Sequence, residues 1–198
     1  MGNIRRGQSI LELEPGKGWF TDILLRLTVQ GGHLTVQQPA ALNPFFGNDA
    51  HQLVVKSGHP HARYSDASWD KLAPHNGTID RVVWLQGPHE LWFKPSPGVS
   101  FGQPNRVFAE IFRVLKPGGR LLVVDNLAPT AMANNAAGSL HRSNPRVLRG
   151  LVERSGLVLA AEDLNWIINQ NDPLDVPTYS PQVHRKTHQF LQVFQKPM

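Results

Sequence analysis

ILELEPGKGWF, residues 10–20, joins an apolar run to a glycine-containing turn, Gly16-Lys17-Gly18, and then to a helical pattern. Short apolar runs bounded by turn residues are typical of buried parallel strands. Apolar residues then recur at helical spacing, at Phe20, Ile23, Leu24 and Leu27. The stretch therefore predicts a strand, a turn and a helix. In open α/β sheets such turns lie at the carboxyl edge, where ligands bind.

Strand-like and helix-like segments continue to alternate along the chain. Further strands are predicted at 33–38, 81–85, 120–125, 157–164 and 188–196, and helices at 19–28, 105–119 and 144–156. Polar, proline-rich stretches predict loops at 39–52, 94–104, 126–143 and 169–187. Alternation of this kind implies right-handed crossovers and a mostly parallel sheet. We expect one α/β domain over residues 1–198.

Composition describes an ordinary globular protein. The chain has 198 residues, of which 40% are hydrophobic and 18% charged, and a formal net charge of +5. It contains no cysteine, which excludes disulfide frameworks and cysteine-based zinc sites. The amino terminus lacks the apolar core of a signal peptide, and no stretch approaches the ~20 apolar residues of a membrane span. We expect a cytoplasmic protein without a membrane partner.

The spacing of the glycines limits what the turn can hold. A P-loop requires G-x-x-x-x-G-K-[S/T], which is absent. The dinucleotide fingerprint G-x-G-x-x-G requires a third glycine where the chain has Thr21. What remains is an acidic residue, Glu12, followed by a short turn that contains Gly16 and Gly18.

This pattern resembles the first motif of class I S-adenosylmethionine-dependent methyltransferases. AEIFRVLKPGGRLLVVDN, residues 109–126, resembles the helix, turn and strand that these enzymes place before their fifth strand. The resemblance is closer still to one bacterial branch of predicted methyltransferases, at residues 15–24, 87–92, 140–142 and 184–197.

The resemblance implies a Rossmann-like class I methyltransferase fold with a seven-stranded, mostly parallel sheet and an antiparallel last strand. It also implies S-adenosylmethionine as cofactor and methyl transfer to a small molecule. The cofactor-binding residues that it implies are Glu12, Gly16, Lys17, Gly18, Gln37, Asp66, Gln86 and Gly87. Glu12 would organise the turn from behind, and Asp66 would contact the adenine amino group.

Several histidines are candidates for chemistry. His89 follows the fourth strand, so we predict that it acts as a general acid or base, oriented by Glu90. His141 and Arg142 lie in a long loop and are predicted to contact the substrate. His184 and His188 have the spacing of metal ligands on a helix, but their surroundings predict strand and loop. We therefore predict no metal site.

Three departures from the family pattern keep alternatives open. Gln37 stands where an acidic residue usually grips the ribose, and Glu14 replaces the first glycine, where Lys17 would have to neutralise it. The short amino terminus is expected to lack the helix that often covers the cofactor.

One alternative is a degenerate fold without methyl transfer, which would bind a ligand or partner or catalyse another reaction. Nucleic-acid modification ranks last, because only the positive charge favours it. We expect no nucleic-acid partner, and a homodimer stays open.

Overall fold

A computed structural model describes residues 2–132 and 137–198, and its centre is one sheet. The strands are β1 Ser9–Leu13, β2 His33–Gln37, β3 Ala62–Ser65, β4 Ile79–Leu85, β5 Leu115–Asn126, β6 Val158–Ile167 and β7 Gln189–Gln195. Their order is β3-β2-β1-β4-β5-β7-β6. β1 to β5 pair in parallel, and β7 lies antiparallel between β5 and β6. The predicted seven-stranded sheet with an antiparallel last strand is confirmed.

The helices connect these strands. They are α1 Trp19–Thr28, α2 Asn43–Phe46, α3 Asp49–Lys56, α4 Pro104–Val114, α5 Ala137–Leu140 and α6 Pro145–Arg154, with 3₁₀ helices at Ala40–Leu42 and Pro88–Trp92. The predicted helix at 105–119 is too long at its end, because Pro117 favours an extended conformation for the residue before it and β5 already begins at Leu115. Within residues 2–132 and 137–198, no helix is long and apolar enough to cross a membrane.

The prediction of a loop at 39–52 is wrong. Helical segments occupy most of it, and α3 continues to Lys56. α3 has only eight residues, of which Ala50 and Val54 are buried, so it is too short and too polar overall to stand out in the sequence. The predicted loop at 126–143 contains α5, and its residues 133–136 lie outside the described residues.

Helices pack on both faces of the sheet. On one face, α4 and α6 bury the largest apolar cluster, which includes Trp84, Phe108, Ile111, Leu148 and Phe194. On the other face, α1 and α3 cover the strands at the β1–β3 side, in a cluster that includes Ile10, Leu24, Leu34, Val36 and Val54. Burial on both faces explains the apolar runs in the central strands β1, β4 and β5.

A third, smaller cluster lies on β5 and β7 and consists of Val124, Leu191 and Val193. Leu85 and Leu122 contact both this cluster and the core beneath α1 and α3. The cluster therefore lies on the α1 side of the sheet, beyond the part that α1 and α3 cover. It leaves an apolar floor next to the carboxyl end of β4.

Arg142 holds the long segment after β6 against the sheet. Its guanidinium donates two hydrogen bonds to Asp172, at 2.7 and 2.9 Å, and further bonds to the carbonyl oxygens of Leu127 and Val176. Both side chains of the Arg142–Asp172 pair are 0% exposed. The prediction that Arg142 contacts substrate therefore fails, because all of its nitrogens are committed to this internal clamp.

We expect Arg142→Met to lower the free energy of unfolding by about 3–5 kcal/mol, because it leaves the carboxylate of Asp172 buried without a counter-ion. Urea denaturation measures this loss. Arg142→Met combined with Asp172→Asn is the control, since it removes the unpaired charge and should recover part of the stability. A loss below about 1 kcal/mol for the single variant would show that the pair does not support the fold.

Candidate functional site

The glycine turn lies where the strand order reverses, at the carboxyl ends of β1 and β4. Gly16 and Gly18 have φ angles of +56° and +84°, which other residues rarely adopt. A Cβ atom added to Gly16 would meet no atom within 4 Å, so this backbone is open to a ligand. At Gly18 an added Cβ would collide with Leu53 of α3. Gly18 is thus needed for helix packing, and its contact with a ligand stays a prediction.

Glu12 organises the turn from behind, at the position that the resemblance implied. Its side chain is buried and accepts a hydrogen bond from Thr21 Oγ1 at 2.7 Å, which ties the end of β1 to the first turn of α1. Burial raises the pKa of Glu12 to about 7, and the bond from Thr21 only partly opposes this rise. The carboxyl group therefore changes its charge near neutral pH.

Glu14 turns back under the site instead of projecting from the turn. It has a φ angle of +54°, and its Oε2 accepts a hydrogen bond of 3.1 Å from Trp84 Nε1. A Cβ atom at position 87 would collide with both partners of this bond, so the bond requires a glycine at this position, Gly87. Burial and the charge of Glu90 raise the pKa of Glu14 well above its ordinary value. Lys17, which the sequence predicted would neutralise Glu14, is exposed.

A buried hydrogen-bond network lies at the carboxyl ends of β4 and β5. His89 Nδ1 lies 2.7 Å from Asp125 Oδ1, and His89 Nε2 lies 3.5 Å from Glu90 Oε1. His141 Nδ1 reaches the same Glu90 oxygen at 3.0 Å. The fold thus brings together His89, Glu90 and His141, three residues that the sequence singled out for separate roles.

The charges of this network bear on the predicted general base. Burial alone would lower the pKa of His89, but the carboxylates of Asp125 and Glu90 outweigh it and raise the pKa to about 10. Burial alone would raise the pKa of Glu90, but hydrogen bonds with His141 and His89 lower it to about 2. Near neutral pH the protein holds an imidazolium beside two carboxylates. An imidazolium has no free lone pair, so this charge state disfavours His89 as a base.

Gln37 does not face a ligand. Its amide group is fully buried and donates to the carbonyl oxygens of Ala67, Ser68 and Lys71, and its Oε1 accepts from the backbone of Ala73. The side chain that the resemblance assigned to the ribose therefore holds the loop after β3, and all of its hydrogen-bonding groups have partners. Asp66 is exposed directly after β3, at the carboxyl edge of the sheet, and its contact with adenine stays a prediction.

A cavity of about 900 Å³ opens beside the glycine turn, over the apolar floor on β5 and β7. Its walls are mostly apolar and include Trp19, Phe20, Leu122, Val124, Trp166 and Leu191. Gln86, which is exposed at the end of β4 with a φ angle of +56°, also lines it. The cavity therefore connects the start of α1 with the carboxyl end of β4.

Sequence reasoning missed Asp125, which is 0% exposed and joins three segments. Besides the His89 ring, it accepts hydrogen bonds from the backbone N–H of His89 and from Ser143 Oγ. A signal was present, because Asp125 ends the apolar run at 120–125 and so had to lie at the carboxyl edge. Its partners could not be inferred, because they lie 18 and 36 residues away along the chain.

Solved structures of similar architecture identify the fold. A crystal structure of an S-adenosylmethionine-dependent methyltransferase from Aquifex aeolicus has a TM-score of 0.66 and 15% identity, and the match covers 98% of this chain and 84% of that one. The [4+2]-cyclase SpnF has a TM-score of 0.70 and 15% identity, and the match covers 98% of this chain and 76% of that one. The chain has the fold of class I S-adenosylmethionine-dependent methyltransferases, as its sequence motifs predicted.

Curated relatives agree with this likeness, although no family model matches the chain. The ubiquinone/menaquinone biosynthesis C-methyltransferase UbiE of Pectobacterium carotovorum subsp. carotovorum (strain PC1) is 27% identical over 136 residues. That match covers 64% of this chain and 45% of the relative, so the chain spans less than half of the relative's length. The likeness supports the predicted cofactor, S-adenosylmethionine.

We expect Glu12→Gln to stabilise the ligand-free protein by about 3 kcal/mol at pH 8, because it removes a buried charge and keeps an acceptor for Thr21. The pKa of Glu12 rises from 4.5 in the unfolded chain to about 7 in the fold. Its neutral form is therefore favoured in the fold, and the wild-type protein loses stability as the pH rises through this window. Below the unfolded value both states are protonated, so the two proteins should converge.

Chemical denaturation of both proteins at several pH values between acidic and mildly basic conditions measures this difference. Thr21→Val is the matched control, since it removes the hydrogen bond and leaves the carboxyl group in place. Equal stability of the wild type and Glu12→Gln at pH 8 would mean that burial does not penalise the charge of Glu12.

Proposed function

We propose that the protein is an S-adenosylmethionine-dependent methyltransferase that acts on a small apolar molecule. The observation that carries this proposal is Gly16, whose backbone lies open in a left-handed conformation at the point where the strand order of the sheet reverses. A ligand can pass close to this backbone because there is no Cβ atom and no neighbouring side chain in the way. The likeness to UbiE over 136 residues supports the same reading.

The residues around the turn fit the cofactor in part. Gly16 would pass beneath its methionine portion, and the amino end of α1 offers backbone N–H groups to the carboxylate. Asp66, exposed after β3, would reach the adenine, and Gln86 and Gly87 would line the site at the end of β4. Glu12 would keep the turn in position rather than contact the cofactor. The ribose would bind without Gln37, which the loop at 67–73 already holds.

The cavity beside the turn would hold the methyl acceptor. When bound, the cofactor supplies an electrophilic methyl group on a sulfonium, and transfer is an in-line displacement that leaves a neutral thioether. Holding an acceptor in line supplies several kcal/mol of the barrier. Trp19, Phe20 and Trp166 give the cavity an apolar wall, which favours an apolar molecule. His89 is buried and is not one of the residues that line the cavity, so an acceptor that needs no base at His89 fits this site best.

A catalyst that transfers no methyl group is the second candidate. The capture of Gln37 by the loop removes one usual contact with the ribose, which favours weak cofactor binding. SpnF, a [4+2]-cyclase, has the same fold, with a TM-score of 0.70. In that case the same cavity would shape an apolar substrate for a reaction that requires no methyl donor.

Partners and location belong to the same proposal. We expect a small-molecule substrate, no nucleic-acid partner and a cytoplasmic location. Homodimer formation stays open. The net charge of +5 would give nucleic-acid binding that weakens steeply with salt, because such binding would depend on counter-ion release.

We expect S-adenosylhomocysteine to bind the purified protein with saturable heat in isothermal titration calorimetry, and Gly16→Val to abolish this binding. Gly77→Val is the matched control. Gly77 has a φ angle of +60°, close to that of Gly16, and an added Cβ atom would likewise meet nothing within 4 Å. Both variants therefore carry the same backbone strain, but only Gly16→Val places a side chain in the proposed site.

Absence of heat from millimolar S-adenosylhomocysteine, or equal loss of binding in both variants, would contradict the proposal. Binding alone does not separate the two candidates. Incubation with methyl-labelled S-adenosylmethionine and a panel of apolar aromatic acceptors does so, because only a methyltransferase moves the label. Saturable binding without transfer to any acceptor would favour the second candidate.

A further inference from the structure

The network of His89, Glu90 and His141 has the geometry of a metal site. One ligand atom from each side chain, His89 Nε2, a Glu90 oxygen and His141 Nδ1, lies within 4.8 Å of the others. The two distances to Glu90 Oε1 are 3.5 and 3.0 Å. Ligands about 2.1 Å from a zinc ion lie roughly 3.0–3.5 Å apart, so both distances match a shared cation. Small side-chain rotations would bring the imidazoles onto it together.

Asp125 supplies the support that a metal-binding histidine requires. Its Oδ1 accepts from His89 Nδ1 at 2.7 Å, which leaves Nε2 directed towards Glu90. Asp125 is itself held by Ser143 Oγ at 2.6 Å and by the backbone N–H of His89 at 3.1 Å. Metal-bound histidines usually donate their second nitrogen to a carboxylate in this way. The arrangement fixes the ring and leaves one nitrogen as the ligand.

An unpartnered carboxylate oxygen is a second, independent observation that indicates a bound cation. Glu90 is 3% exposed, and its Oε2 has no hydrogen-bond partner within residues 2–132 and 137–198. A buried carboxylate oxygen without a partner is costly, and coordination to a cation would satisfy it. Asp125, whose Oδ1 lies 2.7 Å from His89 Nδ1, adds a further carboxylate to the network, so the surroundings also favour positive charge.

We propose that His89, Glu90 and His141 bind one divalent transition-metal ion, with Asp125 orienting His89. Two imidazoles and one carboxylate suit zinc or iron, whereas magnesium prefers oxygen ligands alone. Binding would displace a proton from His89 Nε2, as metal ligation by imidazole does. The sequence predicted no metal here, because Glu90 and His141 are 51 residues apart and only the fold joins them.

Three protein ligands would leave coordination positions open, and His141 is the partly exposed member of the three. The His141 side chain is 21% exposed, and its ring packs against Phe93 and Tyr179. A small molecule with an oxygen donor, such as a hydroxyl or a carboxylate, would complete the coordination there. The metal site does not depend on methyl transfer, so the proposed function can fail while this site stands.

The test is a titration of the EDTA-treated full chain with Zn²⁺ in competition with a chromogenic chelator, without S-adenosylmethionine. We expect one ion per chain, and we expect His141→Ala to weaken binding by about 100-fold or more. His75→Ala is the matched control, because His75 is exposed and outside the network, and it should bind like the wild type. Glu90→Gln keeps the side-chain volume and should also weaken binding strongly.

Substitution with Co²⁺ provides a second measurement, since the intensity of its visible bands reports the ligand number. The wild type and His75→Ala should give the same spectrum, and His141→Ala should not. No stoichiometric ion in the wild type would overturn the proposal. Equal affinity of the wild type and His141→Ala would also overturn it, because the ion would then lie elsewhere. Circular dichroism of each variant confirms that the comparison is made between folded proteins.

Discussion

The buried carboxylate of Asp125 is the interaction on which the site depends. It lies at the carboxyl end of β5 and accepts hydrogen bonds from the ring and backbone of His89 and from Ser143. A fully buried carboxylate is tolerated only when its charge is paired and its oxygens are satisfied. The chain meets this requirement by fixing the 3₁₀ helix after β4 against β5. His89 and Glu90 are in place because Asp125 requires partners.

The glycine turn and the polar groups around this network lie at the same edge of the sheet but have different structural roles. Gly16 keeps backbone accessible, whereas Gly87 lets Glu14 and Trp84 meet without a side chain between them. The first arrangement suits a ligand that passes close to the main chain. The second arrangement places buried polar groups next to an apolar cavity. A site with both features suits an apolar substrate that carries one polar group.

Local patterns in the sequence predicted the strands and helices. The site depends on contacts between residues that are far apart in the sequence. The strand and helix around Gly16 were predictable because apolar spacing is a local property. Arg142 was misjudged because its partner, Asp172, lies 30 residues away, and nothing in the sequence marks the two as a pair. Gln37 was misjudged for the same reason, since the loop that captures it is also distant. The position of the network at the carboxyl edge could be predicted, because the ends of parallel strands meet there. The contacts within it could not, because they depend on how distant segments pack.

The central proposal is that the carboxyl edge at β1 and β4 binds S-adenosylmethionine. A crystal structure of the protein grown with S-adenosylhomocysteine tests this most directly. We expect electron density for the ligand along Gly16, with the adenosyl group directed towards the end of β3. Density at another surface, or none at this edge with millimolar ligand in the crystal, would contradict it.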